Sequence, residues 1–422
     1  MKILFVIDSF YTTNNGTSIS AQRFAGELRH RGHQVKVLCW DTPRKDDAEG
    51  MAENVSLTDG DFTTTKFNLP IFQPLCDKHD FSFAYNDKKI VHTACDWADI
   101  VHIFVPFGIS IEAVNYCNRT GKPVTAAFHI QPENMTSSVS MGKVKWFNEL
   151  FYDSFRDHIY NHVRHVHVPS QFMGKMIAER GYTAKIHPIS NGIQEAFMEA
   201  GERKAASRKQ TIASDKECFK IMMIGRLSQE KRQDVIINAV KYSKYADRIQ
   251  LVFAGRGPEY DHYVELGKSL KHRPQFVYVG RDELINHLLE TDLYVHASDM
   301  ESEAISCIEA FATSLVPVIA NSEVSATPQF ALDGRSLFKP GSPKDLARAI
   351  DYWLDHPTER RYMEEQYRLA GRQYSLAASV KLFEQMLNEE IKEHETQPHI
   401  GHSYGYKHDS LMHRPHRIAA LW

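Results

Sequence analysis

The sequence predicts an α/β protein with two doubly wound parallel sheets, each covered by helices on both faces. The chain has 422 residues, which is enough for two domains. Residues 1–40 alternate strand, loop, helix and strand, and a second series of this kind begins at the apolar run from Phe219 to Ile224. The formal charge of −3 gives no indication of a nucleic-acid partner.

The first 40 residues form a complete β-loop-α-β unit. A strand is expected from Ile3 to Ile7, a helix from about Ser18 to Arg31 with Gly32 as its stop, and a second strand from Gln34 to Cys39. The loop between them lacks the G-x-G-x-x-G pattern, which argues against a dinucleotide-binding dehydrogenase. Its Gly16 either lets backbone N–H groups approach a phosphate at the helix start or simply serves a turn.

Composition and short motifs predict a cytoplasmic protein without a metal. The opening apolar run is too short for a signal peptide, and no run approaches the length of a membrane span. Asp59-Gly60-Asp61 matches a metal-binding D-x-D pattern, but no apolar strand precedes it, so we interpret it as chance. The six cysteines have no paired spacing and are expected to be reduced: Cys39, Cys76, Cys95, Cys117, Cys218 and Cys307.

The middle of the first domain contains two features that could contact ligands. A buried strand from Pro123 to Phe128 leads straight into His129, and the carboxyl ends of strands in open α/β sheets face the ligand crevice. His129 is therefore either a ligand contact or a hydrogen-bonded core histidine. Residues 143–163 carry an aromatic stripe at helical spacing, which either packs in the core or, with Lys143, Lys145 and Trp146, meets a lipid surface.

The sequence predicts a first domain over residues 1–192, ending at the Asn191-Gly192 turn. Residues 193–217 are polar and are interpreted as a linker. The second domain is predicted over 193–375, followed by a helix over 376–392 and a flexible, histidine-rich tail over 393–422.

The second domain contains three strand-to-loop segments of interest. Phe219–Ile224 runs into a glycine turn and then into Arg226 and Lys231, which are either anion-binding cations or part of a solvated loop. The strand from Ile249 to Ala254 meets Gly255 in a G-x-G-P pattern, and a strand near Phe276 precedes Gly280.

Residues 292–321 form a strand, an acidic loop, a helix and a second strand. Glu301 and Glu309 are separated by seven residues, with Glu301 before the helix and Glu309 about two turns into it if the helix begins at Ser302 or Glu303. Either the two carboxylates serve a site beside the helix N-terminus, or Glu301 and Glu303 cap the helix and Glu309 faces solvent.

Three of these segments, in this order, resemble family 4 of the retaining nucleotide-sugar glycosyltransferases. They are the Gly16 loop, the Gly225 to Arg232 segment, and the Glu301 to Glu309 helix with the following Pro317-Val318-Ile319. The resemblance implies the GT-B fold, in which two Rossmann-like domains face each other across a cleft and the last helix crosses back to the first domain. One departure is that this chain has Glu303-Ala304 or Ala304-Ile305 where the family usually has an aromatic-Gly pair after the first glutamate.

The resemblance also implies a role for each candidate residue. Glu301 would bind the hydroxyls of the donor sugar, Glu309 the ribose hydroxyls, and His129 would lie beside the anomeric carbon. Arg226 and Lys231 would bind the diphosphate, whose growing charge fixed cations stabilise in the transition state. The remaining donor contacts would come from Gly16, Gly255, and, near the nucleotide base, Gly280, Arg281 and Leu284.

The implied activity is metal-independent transfer of a hexose with retention of configuration, using a nucleotide sugar as co-substrate and no other cofactor. UDP-glucose is the first expectation for the donor. A lipid acceptor such as diacylglycerol is favoured, because Asp8 to Tyr11 with Asn15-Gly16 resembles the diacylglycerol glucosyltransferases; Trp146 and the tail would then rest on the inner face of the membrane. Glycan, teichoic-type polymer and protein acceptors stay open, as do a nucleotide-sugar epimerase or phosphorylase of the same fold and a binding-only pseudoenzyme.

Overall fold

The computed structural model describes residues 1–12, 16–42, 61–68, 82–137, 144–208 and 217–397. They form two compact units, one of Met1–Ser190 together with the chain from Ser379 onwards, and one of Asn191–Ala378. Several residues considered above lie outside the described part of the chain: Asn15, Asp59, Gly60, Cys76, Lys143 and residues 398–422.

The first unit contains a seven-stranded parallel sheet and a short antiparallel pair. The strands are β1 (Lys2–Val6), β2 (Gln34–Cys39), β3 (Phe62–Thr63), β4 (Lys66–Phe67), β5 (Phe83–Ala84), β6 (Ile100–Ile103), β7 (Val124–Ala127), β8 (His165–Val168) and β9 (Lys185–Pro188). The parallel order is β3-β2-β1-β6-β7-β8-β9, and β4 pairs with β5. The order reverses between β1 and β6, which is the pattern of a doubly wound sheet.

Among the described residues of this unit, six helices lie between these strands. They are α1 (Gly16–His30), α2 (Lys88–Trp97), α3 (Gly108–Thr120), α4 (Pro132–Ser137), α5 (Lys145–His158) and α6 (Gln171–Ala178). Every residue of β6, β7 and β8 is buried, as expected for parallel strands covered by helices on both faces. The predicted stop of α1 is confirmed, since Gly32 has φ +89°.

The aromatic stripe of residues 143–163 is only partly core. Helix α5 ends at His158 and is followed by a 3₁₀ turn over Tyr160–His162. Phe155 is buried, Phe147 and Phe151 are half-buried, and Trp146 is 66% exposed. The helix therefore presents an apolar edge at its start. No helix among the described residues is long and apolar enough to cross a bilayer.

The second unit contains a six-stranded parallel sheet. Its strands are β10 (Phe219–Ile224), β11 (Ile249–Ala254), β12 (Gln275–Val277), β13 (Leu293–His296), β14 (Pro317–Ala320) and β15 (Leu337–Phe338). The order is β12-β11-β10-β13-β14-β15, so this sheet is doubly wound as well and reverses between β10 and β13. The predicted α/β class with two such sheets is confirmed.

The helices of the second unit continue the numbering. They are α7 (Glu195–Arg208), α8 (Gln233–Val240), α9 (Tyr260–Gly267), α10 (Arg281–Glu290), α11 (Ile305–Ala312), α12 (Pro343–Asp355), α13 (Pro357–Gly371) and α14 (Leu376–Thr396). Helix α14 begins in this unit, and from Ser379 its residues belong to the first unit. There, Phe383 packs edge-on against Phe24, with ring centroids 5.2 Å apart, and against His102 at 4.7 Å.

The linker predicted over residues 193–217 is wrong for its first part, because α7 occupies Glu195–Arg208 and packs in the second unit. Phe197 is buried, and so is Lys204, whose Nζ donates to the carbonyl oxygens of Leu288 and Thr291 at 2.8 Å. The segment was predicted to be a linker because its residues are polar, but Lys204 is not solvated. It binds carbonyl groups at the end of α10 instead.

Candidate functional site

The candidate site of the second unit lies at one edge of its sheet. Because all six strands are parallel, the loops that follow β10, β11, β12 and β13 emerge at the same edge. In open α/β sheets, ligands bind outside the carboxyl ends of the strands where the strand order reverses. In this sheet that point lies between β10 and β13, and the candidate residues lie in the loops that follow these two strands.

Lys231 and Glu301 meet at this reversal point. Lys231 ends the 3₁₀ turn Gln229–Lys231 after β10, and Glu301 lies in the loop after β13. The Lys231 Nζ is 2.5 Å from Oε1 of Glu301, and both side chains are mostly buried. Two residues separated by 70 positions, each suggested by the sequence, are thus in direct contact.

His296 is a member of this cluster that the sequence analysis missed. It is the last residue of β13, and its Nε2 is 2.9 Å from the same Glu301 oxygen. Its Nδ1 is 3.2 Å from the Tyr294 hydroxyl, so the ring is held from both sides. A strand-ending histidine was the signal that pointed to His129, and the same signal could have found His296.

The contacts around Glu301 determine its charge. Burial alone raises the pKa of this carboxyl group, but the ammonium of Lys231 and the hydrogen bond to His296 outweigh burial. The pKa of Glu301 therefore lies well below its usual range. At neutral pH Glu301 is a carboxylate that accepts hydrogen bonds, and it is not a proton donor.

Gly225 and Gly255 lie where the loop that carries Arg226 packs closely against the loop after β11. The Leu227 N–H donates to the Arg256 carbonyl at 3.0 Å, which brings the two loops together backbone to backbone. A Cβ on Gly255 would lie 2.1 Å from the Gly225 carbonyl oxygen, so only glycine fits there. This packing fixes the backbone that carries the half-buried Arg226. Whether Gly255 also contacts a ligand stays a prediction.

Ala304 takes a glycine-like backbone conformation, which favours matching Ala304, and not Ile305, to the glycine of the resembled family. Its φ is 71° and its ψ is 65°, which is the left-handed region. Ala304 is the N-cap residue of α11, which begins at Ile305 instead of Ser302 or Glu303. Glu309 is consequently about one turn into the helix, where two were expected, and it is buried.

Glu303 does not cap the helix, because the N-cap residue of α11 is Ala304. Glu303 is 2% exposed and accepts hydrogen bonds from the backbone N–H of Asn191 at 3.1 Å and from its side-chain amide at 2.6 Å. Gly192 follows with φ +75°, and a Cβ there would lie 2.7 Å from the Leu376 Cα. Glu303 and Gly192 therefore fix the first residues of the second unit.

The residues suggested for the nucleotide base lie at the end of the loop after β12 and in the first turn of α10. Arg281 begins α10 and contacts Asp282 at 3.1 Å, while Leu284 packs partly against the hydrophobic core of the unit. Nearby, the Arg256 guanidinium lies 4.6 Å from the centre of the Tyr278 ring, which is 63% exposed. The roles of Arg281 and Leu284 in base binding stay predictions.

In the first unit, the structure describes both candidate residues. Gly16 opens α1, and a Cβ at this position would meet no described atom within 4 Å. His129 follows β7, is buried, and stacks on Phe104 with centroids 5.8 Å apart. Its Nε2 has no hydrogen-bond partner among the described residues. Burial and the nearby His167 hold the pKa of His129 well below its usual range, so the ring is neutral. Its contact with a sugar stays a prediction.

Two protein-family models match the chain and together span most of it. The model described as Glycosyltransferase Family 4 matches residues 14–197. The model described as Glycosyl transferases group 1 matches residues 204–370.

Curated relatives and solved structures agree with these matches. Alpha-monoglucosyldiacylglycerol synthase of Streptococcus pneumoniae is 22% identical over 341 residues, covering 76% of this chain and 71% of the relative. GDP-mannose-dependent alpha-mannosyltransferase of Mycobacterium tuberculosis is 22% identical over 335 residues, covering 76% and 79%. The crystal structure of HepE from Anabaena in complex with UDP has a TM-score of 0.69 and 17% identity, covering 92% of this chain and all of that one.

Proposed function

Since the chain belongs to glycosyltransferase family 4 and has the GT-B fold, we propose that it transfers a hexose from UDP-glucose to the hydroxyl group of a membrane lipid. Glycosyltransferase activity is supported by the family as a whole. The choice of UDP-glucose as the donor is specific to our proposal, because the name of one relative contains monoglucosyldiacylglycerol and the name of another contains GDP-mannose. The observation that carries the proposal is the contact between Lys231 and Glu301 at the reversal point of the second sheet.

This contact supports a division of roles around the donor. Lys231 and Arg226 bind the diphosphate, Glu301 accepts hydrogen bonds from hydroxyls of the sugar, and Glu309 binds the ribose. The low pKa of Glu301 suits this role, because a carboxylate accepts hydrogen bonds from hydroxyl groups without protonating them. His296 keeps Glu301 in place through the 2.9 Å contact.

The chemistry follows from these charges. As the bond between sugar and diphosphate breaks, negative charge grows on the leaving oxygen, and the cations of Lys231 and Arg226 stabilise it. The acceptor hydroxyl attacks from the same face and passes its proton to that oxygen, so the configuration at the anomeric carbon is retained. The side chains of Lys231 and Arg226 neutralise the charge of the diphosphate, so we expect turnover without a divalent cation.

A lipid acceptor is supported by one relative and by one surface. The relative is named for monoglucosyldiacylglycerol synthesis. The surface is the start of α5, where the exposed Trp146 is followed by the half-buried Phe147 and Phe151, with ring centroids of the last two 5.4 Å apart. An aromatic edge beside Lys145 suits the interface of an anionic membrane. We therefore expect the protein to bind peripherally at the inner face of the membrane.

The test is a donor panel in the presence of lipid vesicles. UDP-glucose, UDP-galactose and GDP-mannose are each incubated with vesicles that contain diacylglycerol, and the released nucleoside diphosphate and the glycolipid product are measured with and without EDTA. We expect an α-linked glucolipid that forms equally with EDTA. A β-linked product would contradict retention, and release of nucleoside diphosphate without any glycolipid product would contradict the lipid acceptor.

Two variants and one control connect the activity to the site. Lys231→Met and Glu301→Gln should each remove most transfer while the chain stays folded. Lys244→Met is the matched control, because Lys244 also pairs with a carboxylate of the second unit, Asp355, but on the surface. An epimerase would instead convert UDP-glucose without any acceptor, a phosphorylase would need only inorganic phosphate and would form a sugar phosphate, and a binding-only protein would turn over no donor.

A further inference from the structure

The first unit contains a group of metal-ligating side chains that lies outside the proposed function. His165 is the first residue of β8, His187 is the third residue of β9, and Glu389 lies on α14. One ligand atom from each residue lies within 4.8 Å of the other two. His165 is fully buried, and the other two are partly buried. The three come together from two strands and a helix.

The two imidazoles face each other through ring nitrogens. The distance from His165 Nδ1 to His187 Nε2 is 2.8 Å, so a single proton lies between the rings. The other nitrogen of His165, Nε2, is 3.1 Å from a carboxylate oxygen of Glu393 and 3.7 Å from one of Glu390. A proton on Nε2 therefore satisfies the carboxylates, and the lone pair of Nδ1 points towards His187.

This arrangement is typical of histidines that bind metal ions. Such a histidine usually donates its second ring N–H to a carboxylate, which fixes the tautomer and the orientation of the ring. For His165, the carboxylate of Glu393 is this acceptor. Moving the shared proton to the Nδ1 of His187 would leave two nitrogen lone pairs that face one another beside a carboxylate.

We propose that His165, His187 and Glu389 bind one zinc ion, with a water molecule as the fourth ligand. Zinc takes nitrogen ligands at about 2.0–2.1 Å in tetrahedral geometry, which places two ligand nitrogens roughly 3.3 Å apart. The two rings need to separate by only about half an ångström from their present contact to reach that spacing. Two imidazoles and a carboxylate favour zinc over calcium or magnesium, which prefer oxygen ligands only.

Lys185 holds the carboxylate in the absence of the ion. Its Nζ is 2.5 Å from Glu389 Oε2, and its side chain is 56% exposed, so it is free to turn into solvent when a divalent cation takes over the charge. The ion would then join β8, β9 and α14. His165 lies at the amino end of its strand, whereas ligands of open α/β sheets bind at the carboxyl ends. The role of the zinc is therefore to hold α14 on the sheet.

The test has to exclude the histidine-rich tail, which can bind zinc by itself. We therefore use the full chain with five tail substitutions as the background: His399→Ala, His402→Ala, His408→Ala, His413→Ala and His416→Ala. After equilibrium dialysis against micromolar ZnCl₂, metal analysis should find about one zinc per chain, and zinc should raise the unfolding temperature.

Variants of the site then decide the assignment. In that background, His187→Ala should weaken zinc binding by more than the roughly 10–100-fold that loss of an outer hydrogen-bond partner costs. Lys185→Met should strengthen binding, because it removes the competing cation. His33→Ala is the matched control, since His33 contacts Glu384 of the same helix at 2.7 Å but belongs to no group of three metal-ligating side chains among the described residues, and it should bind zinc like the background.

Two results would overturn the proposal. The first is a background protein that retains no zinc at micromolar concentration. The second is a His187→Ala protein, or a Glu389→Gln protein, that retains zinc with the affinity of the background. Both residues are partly exposed, so these variants are expected to fold, and circular dichroism checks this.

Discussion

Removing either partner of the Lys231–Glu301 pair should destabilise the second unit, and removing both should cost less than the sum. The side chains are 21% and 12% exposed and their charges are 2.5 Å apart. At an effective dielectric constant near 20 the attraction is about 7 kcal/mol, most of which is offset by the cost of taking two charges out of water. What remains is a large penalty for leaving one charge alone.

The expected free-energy changes follow from this penalty. Lys231→Met leaves the Glu301 carboxylate with His296 as its remaining partner and should cost about 3 kcal/mol. Glu301→Gln leaves the ammonium without a countercharge and should cost about 2 kcal/mol. The double variant should cost about 3 kcal/mol, so the coupling energy is about 2 kcal/mol.

The assay must report on the second unit alone. Cys307 is fully buried in the core of this unit, so its alkylation in urea, measured by mass spectrometry of its peptide, follows unfolding of that unit. The control cycle uses Lys244 and Asp355, which are 56% and 31% exposed and should couple by less than about 1 kcal/mol. A coupling energy below about 0.5 kcal/mol for Lys231 and Glu301 would refute the reasoning.

Three further predictions concern single residues. Ala304→Gly should leave the second unit unchanged or stabilise it by up to about 1 kcal/mol, because relief of the left-handed conformation outweighs the greater freedom of the unfolded chain; a loss above about 1 kcal/mol in the Cys307 assay would contradict it. Gly255→Ala should destabilise by about 3 kcal/mol, since its Cβ collides with the Gly225 carbonyl, and wild-type stability would disprove that contact. Burial raises the pKa of Asp8 to about 7, from about 3.9 in the unfolded chain, so its contribution to stability is lost as pH rises from about 4 to 7. Asp8→Asn should therefore gain stability over wild type at pH 8 but not at pH 4, measured by urea unfolding, and an equal difference at both pH values would contradict this.

The strands were predictable because parallel strands covered on both faces appear as continuous apolar runs. The predicted strands from Phe219 to Ile224 and from Ile249 to Ala254 coincide with β10 and β11. Helix α7 was not predictable in the same way, because it buries a lysine and its apolar positions are few. The start of α11 was placed too early, since nothing in the sequence shows that Ala304 adopts a left-handed conformation.

Only those residues of the candidate site that lie in sequence motifs were predictable. The motifs suggested Lys231 and Glu301, and the structure brings them into contact. His296 was not predicted as a site residue because no motif contains it, although the sequence placed it at the end of a strand. The contact between His165 and Glu393, 228 positions apart, could not be predicted, because it depends on how α14 packs against the first sheet.

The most direct test of the central claim is calorimetric titration of UDP into the wild-type chain and into the Lys231→Met and Glu301→Gln variants. If Lys231 binds the diphosphate, Lys231→Met should weaken binding by roughly 10–100-fold, the value of one charge-assisted hydrogen bond. Glu301→Gln should bind UDP as tightly as wild type or more tightly, because it removes a negative charge beside the diphosphate. Equal affinity of all three proteins for UDP, or weaker binding in Glu301→Gln alone, would contradict the account.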